Sequence, residues 1–231
     1  MWLYNSSIGR KVVMSLSGLF LFLFLLFHGT MNVVAVFSQY GYDQIVHFLG
    51  TNAVVQLMVP VLALFFIIHI VYSIILTIQN RKARGTDRYA VVGKSPVEWS
   101  AKNMFVLGLI VLIGIVMHLY HFWAKMQLME WTGREAADGY ELIVKLFSDP
   151  VYVCIYLVWF VAIWYHLSHG IWSAFQSMGW NNTIWYPRLK VIGIVFATLV
   201  CLMFAFVAIA FYMHSLGWFD SIGQLWQLGV H

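Results

Sequence analysis

The 231-residue chain is 62% hydrophobic and 10% charged, with a formal net charge of +4. Soluble domains carry about a quarter charged residues, so this deficit points to lipid as the solvent and excludes a water-solvated domain. The cations form no basic stripe, which excludes a nucleic-acid surface, and Cys154 and Cys201 sit apart in apolar runs as small hydrophobes, not as a disulfide or a metal pair.

A membrane helix needs roughly 20 mostly apolar residues to cross about 30 Å of hydrocarbon, and five stretches qualify. The first, residues 11–37, follows Arg10 and Lys11; it is too long for a signal-peptide core, and no small-residue cleavage site follows it. The second, 52–78, contains Pro60, where a kink is expected. The third runs over 101–124. The fourth, 150–176, opens on Pro150, and the fifth, 189–213, starts just after Pro187, positions where a missing N–H costs little. The pattern predicts an all-α integral membrane bundle of five transmembrane helices, one domain over residues 1–231, with no internal repeat.

Loop charge predicts the orientation. Arg10 and Lys11 precede the first span, while Arg81, Lys82, Arg84, Arg88 and Lys94 crowd the loop after the second, and Arg188 and Lys190 flank the start of the fifth. The longest opposite loop balances Glu130, Glu135, Asp138 and Glu141 against Lys125, Arg134 and Lys145. The N-terminus is therefore expected in the cytoplasm and the C-terminus outside. Trp2, Trp99, Trp123, Trp131, Tyr186 and Trp218 fall at span ends, as interface anchors do.

Six of the nine histidines lie within these spans: His28, His69, His118, His121, His166 and His169. An ionisable group inside a membrane is expensive, so each is a functional candidate. A single one could simply hydrogen-bond a neighbouring helix; six spread over four successive helices argue otherwise. At 1.5 Å per residue, His28 lies roughly 27 Å past Arg10, and His121 roughly 28 Å past Lys102, both toward the outer side. His69 lies roughly 18 Å from Arg81, and His166 roughly 16 Å from the end of its span, both nearer the cytoplasm. Depth thus pairs His28 with His121 and His69 with His166, at levels roughly 10 Å apart. His118 shares a helical face with His121, and His169 with His166, so these two are alternates. Two imidazoles per level suit the axial positions of haem iron, with non-covalent b-type haem because no Cys-x-x-Cys-His occurs. Zinc or non-haem iron would want three or four ligands at one depth, and no carboxylate lies within any span. Gly18, Gly108, Gly114, Gly170 and Gly193 would let a flat macrocycle, or simply another helix, approach the backbone.

Four segments carry a family resemblance: Phe27-His28-Gly29-Thr30-Met31-Asn32, Ile68-His69-Ile70-Val71-Tyr72, His121-Phe122-Trp123, and His166-Leu167-Ser168-His169-Gly170-Ile171-Trp172-Ser173. With helix count and histidine order, they make the chain resemble the cytochrome b subunit of succinate dehydrogenase and fumarate reductase, in its five-helix, two-haem form. Family members often lack a histidine at the positions of His118 and His169. The resemblance implies two haem b groups, the distal one on His28 and His121 and the proximal one on His69 and His166. It also implies a bacterial cytoplasmic (inner) membrane location. There the subunit would pass electrons between an iron–sulfur subunit and a membrane quinone, most commonly menaquinone for this type. A flavoprotein subunit with FAD and the iron–sulfur subunit with its clusters would dock on the cytoplasmic face. Succinate and fumarate chemistry would occur on those partners, and the whole complex could pair as a dimer.

A quinone site needs an apolar slot, hydrogen-bond partners for two carbonyls and proton access. Asp43, His47, Gln56, Lys125 and Gln127 are the polar groups expected near the outer interface, with Asp43 and His47 on one face if their segment is helical. At the cytoplasmic ends, Arg10, Lys11, Lys102, Arg188 and Lys190 are candidates for haem propionates or lipid head groups, and residues 81–88 for an iron–sulfur partner. Two other readings compete: a di-haem anchor of a hydrogenase or formate dehydrogenase, and a haem-free transporter. The transporter is disfavoured because neither a repeat nor a midplane carboxylate is present.

Overall fold

The computed structural model describes residues 6–84, 99–180 and 182–218; Trp2, Arg88 and Lys94 lie outside them. Among the described residues the chain is helical, with no strand. The elements are α1 (Ser7–Phe37), α2 (Gln39–Thr51), α3 (Ala53–Arg84), α4 (Trp99–His118), α5 (Gln127–Trp131), α6 (Gly139–Phe147), α7 (Pro150–Ser177) and α8 (Trp185–Ser215). A π-helical turn, Leu119–Trp123, continues α4. Helices α1, α3, α4 with its π turn, α7 and α8 are long and apolar enough to cross a membrane, giving a multi-pass architecture.

Capping side chains, not hydropathy, decide where α1, α2, α3 and α7 begin. Ser6 accepts from Gly9 N at 2.8 Å, which starts α1 several residues before its apolar run. Ser38 is extended (φ −152°) and both ends α1 and caps α2, accepting from Gly41 N at 2.9 Å. Asn52 makes the next corner: its Oδ1 accepts from Val54 N and Val55 N at 3.0 and 3.2 Å. Asp149 caps α7 ahead of Pro150, which occupies the first turn where its missing N–H has no partner to lose. The third helix runs on through Pro60.

Contacts give the directions. Phe20 stacks on Phe65 at 4.2 Å while Ser17 meets His69, so α1 and α3 are antiparallel. Trp164 Nε1 donates to Thr198 Oγ1 at 2.9 Å, and Phe160 stacks on Phe204 at 5.5 Å, so α7 and α8 are antiparallel too. The end of the bundle bearing the start of α1 and of α4 is called the near end below.

The tightest packing joins α7 and α8, with Tyr156, Ala197, Val200, Ala208 and Phe211 at 2% exposure or less. Lipid offers apolar side chains no hydrophobic gain on association, so small residues that let backbones approach carry such an interface. By contrast α3 has no buried residue among those whose burial is described, lies along α1 and barely meets α4. The bundle of α1, α3, α4 and α7 is thus open on the α3 side, where His69 stands.

Candidate functional site: two imidazole pairs in the bundle

The near pair joins α3 to α7. The rings of His69 and His166 have centroids 6.2 Å apart, with planes at 71°. Ser17 Oγ donates to Met14 O at 2.9 Å and lies 3.4 Å from His69 Nδ1. Ser17 Oγ and the Met14 carbonyl both stand at the Nδ1 side of His69, which leaves Nε2 for another partner. Gly18 permits this approach, since a Cβ there would stand 3.0 Å from His69 Cε1. His166 Nδ1 is buried without a hydrogen-bond partner among the described residues.

The far pair joins α1 to α4. His28 and His118 have centroids 5.8 Å apart, with planes at 83°. His28 stacks on Phe24 at 5.4 Å and meets Phe204 at 5.8 Å. Asn32 Nδ2 donates to His28 O at 2.8 Å and stands 3.4 Å from His28 Nε2, the outer limit for a hydrogen bond. Phe122, Tyr156 and Trp159 surround His118, with ring centres 5.1, 6.4 and 6.0 Å away. Trp159 crosses α4 at Gly114, where any Cβ would overlap the indole, and its Nε1 donates to Val111 O at 3.2 Å.

Depth reasoning pairs His28 with His121; the structure sets the His28 ring against His118. The wider π turn changes the angular step between residues 118 and 121: both rings reach Tyr156 of α7, but among the described residues His118 is the one of the two that also meets His28. His121 faces α7, its Nδ1 3.1 Å from the Tyr156 hydroxyl and its ring 5.0 Å from that of Tyr152. No ring contact joins it to His28 among the described residues. His169 lies against Trp172 at 4.7 Å. It lines a near-end cleft of about 250 Å³ with Ser100, Tyr165, Ser168 and Lys190.

Along α1, the near pair's contact Ser17 and His28 are eleven residues apart, roughly 16 Å. Along α7, His166 and the far pair's contact Trp159 are seven apart, roughly 10 Å. Two levels are therefore present, each with two imidazoles from two helices. Aromatic packing alone covers centroid distances of about 4.5–7 Å. What marks the site is the recurrence of the arrangement at both levels. A metal ligated by two imidazole nitrogens at about 2 Å sets ring centres roughly 6 Å apart. No cluster of three or more His, Cys, Asp or Glu gathers among the described residues. Each level offers two facing imidazoles as donors, and the orphaned His166 Nδ1 and the open α3 side leave room for a further group beside the near pair.

At the far end, the corner between α2 and α3 meets α5. Gln56 Nε2 donates to Leu49 O at 2.9 Å and to Gln127 Oε1 at 3.2 Å, while Trp131 Nε1 donates to Gln56 Oε1 at 3.3 Å. Gln127 Nε2 in turn donates to Glu130 Oε2 at 3.2 Å. Of the five outer polar residues singled out from sequence, the structure therefore joins Gln56 and Gln127 and leaves the rest apart. Lys125 lies over the Tyr120 ring at 5.8 Å, and His47 is exposed on α2. Asp43, also on α2, belongs to a group with Tyr42, Asp138 and Tyr140. Burial, and then the Asp138 charge, raises its pKa above the usual carboxylate range. Burial and the charges of Asp138 and Asp43 push the Tyr42 phenol up to about 12, and burial and Asp43 raise Tyr140. Sequence reasoning missed Tyr156 and Trp131. A tyrosine within an apolar span needs a hydroxyl partner, and that need was the available signal for Tyr156.

Fold and site together define a multi-pass helical membrane protein carrying two intramembrane imidazole pairs. No protein-family model, no curated protein and no solved structure matches the chain.

Proposed function

We propose that this chain is the membrane-anchor cytochrome b subunit of a succinate:quinone oxidoreductase, a succinate dehydrogenase or fumarate reductase. In this reading it sits in a bacterial cytoplasmic membrane with its N-terminus and near end inside. It connects an iron–sulfur subunit to a membrane quinone, menaquinone in the usual form of such subunits. One observation carries the reading: two imidazole pairs, 6.2 and 5.8 Å between ring centres, at two levels of one apolar bundle.

His69 and His166 would hold the inner haem b, and His28 and His118 the outer one. His118 is preferred to His121 because its ring faces His28, whereas His121 is engaged with Tyr156. When bound, such a haem supplies reversible one-electron chemistry at an iron with no open position for oxygen. The chain's own residues do the rest. Ser17, 3.4 Å from His69 Nδ1, orients that ring, and Trp159 packs against the His118 ring and limits its rotation. The apolar walls of Phe24 and Phe204 keep water from the far pair. At the far end the Gln56, Gln127 and Trp131 donors bond one another and Leu49 O, so a quinone carbonyl would take the second Gln127 Nε2 hydrogen or displace one of these internal partners. Asp43, whose pKa is raised, offers a proton-accepting group on that side.

A flavoprotein with FAD and the iron–sulfur subunit would dock on the near end, where Arg81 and Lys82 are exposed. Pyridine haemochrome analysis of the complex purified through this chain tests the proposal. Two b haems per polypeptide, six-coordinate and low-spin, with FAD and iron–sulfur clusters co-purifying, are expected. A colourless preparation would overturn it, and nickel or molybdenum in the partner would transfer the anchor to a hydrogenase or formate dehydrogenase.

A further inference from the structure

Arg10 lies in the first turn of α1, beside the buried Gly9. Its Nε is shielded from solvent and has no hydrogen-bond partner among the described residues, a condition it shares only with His166 Nδ1. Arginine does not give up its charge, and a charged group is buried at tolerable cost only with a partner. The orphaned nitrogen therefore marks a missing acceptor.

Position says what kind. Arg10, Met14 and Ser17 follow the i, i+4, i+7 spacing that puts side chains on one helix face. Ser17 stands 3.4 Å from His69 Nδ1, so this face is turned toward the near imidazole pair. From Ser17 to Arg10 is seven residues, roughly 10 Å toward the near end. Lys11, the next residue, is exposed and points elsewhere, so the two neighbouring cations differ in kind. Loop-charge topology accounts for Lys11, but it does not call for the shielded, unpartnered Nε of the half-buried Arg10.

We infer that Arg10 is the counter-charge for the anionic edge of the cofactor held by His69 and His166, its guanidinium taking a haem propionate carboxylate. The inference rests on the haem reading above. A planar fork of N–H donors, Nε among them, matches a carboxylate bidentately, which an ammonium does not do. It makes Arg10 a cofactor-binding residue that also sets the potential of one haem. A cation beside the propionate offsets the negative charge that favours ferric iron; removing it favours the oxidised state.

Spectroelectrochemical titration of the whole complex tests this in wild type, Arg10→Gln, Arg10→Lys and Lys11→Gln, with haem content measured in each. Arg10→Gln should keep two haems and lower the midpoint potential of one, the haem that His69→Ala removes. The other haem and the Lys11→Gln variant should titrate as wild type. If Arg10→Gln does not assemble, Arg10→Lys carries the test: loss of the fork should shift the same haem in the same direction by less. Two haems with unshifted potentials in the Arg10 variants, or an equal shift in Lys11→Gln, overturns the inference alone. Absence of haem from wild type overturns the cofactor reading and this inference with it.

Discussion

Replacing Gly114 with alanine should loosen the far half of the bundle. The added Cβ would overlap the Trp159 indole, a rigid group that cannot give by a small rotation. Overpacking of this kind costs about 1–3 kcal/mol. Displacing the indole also breaks its 3.2 Å hydrogen bond to Val111 O, a further ~0.5–1.5 kcal/mol. Alanine's better helix propensity returns about 0.5–1 kcal/mol. The balance is a destabilisation of roughly 1–3 kcal/mol, which for a chain of this size lowers the melting temperature on the order of 5 °C. Tryptophan-fluorescence melting in detergent reads it. Gly170→Ala is the control, because a Cβ there meets nothing within 4 Å; it should melt at or slightly above the wild-type temperature. If Gly114→Ala melts with wild type, Trp159 does not cross α4 at that residue. The backing assigned to His118 would fall with it.

The remaining predictions address the pairs and the far end. His28→Ala and His118→Ala should each leave one haem per chain and His121→Ala two; loss of a haem in His121→Ala with both kept in His118→Ala would reverse the assignment. Tyr156→Phe should retain both haems but lose about 1–2 kcal/mol of stability, because the His121 Nδ1 partner at 3.1 Å disappears; an unchanged melt refutes that bond. Asp43 binds its proton more tightly in the fold than in the unfolded chain, so its contribution is full below the unfolded pKa and falls as pH rises toward the folded value. Asp43→Asn should therefore raise stability at neutral pH and flatten the acid-to-neutral slope of the melting temperature; a steeper slope would contradict the sign. Tyr42, outside the spans, should ionise near its raised value of about 12 by phenolate absorbance, and lower in Asp43→Asn. Gln56→Ala should raise KM for quinone with haem content unchanged; equal KM would move the quinone away from the corner that Gln56 bridges to Gln127.

Sequence was enough for the five spans and for the histidines. Span length follows from hydrocarbon thickness, and a histidine within such a span is conspicuous because burial there is costly, so both show in a linear string. The pairing of His69 with His166 was also open to depth counting, since α3 and α7 are regular helices over those residues and rise per residue is constant. The partner of His28 was not. Depth cannot separate His118 from His121, and the choice turns on a local π turn, whose wider winding is marked by the bond from Ala124 N to Leu119 O at 2.8 Å. That turn re-aims side chains without a hydropathy signature. Nor did Arg10 differ from Lys11 in the sequence, where both are cations ahead of an apolar run. Only the packing of α1 against its neighbours buries one nitrogen and exposes the other. Composition and period thus determined which groups enter the membrane. Tertiary contacts, which select among residues one to three positions apart, decided which of them face one another.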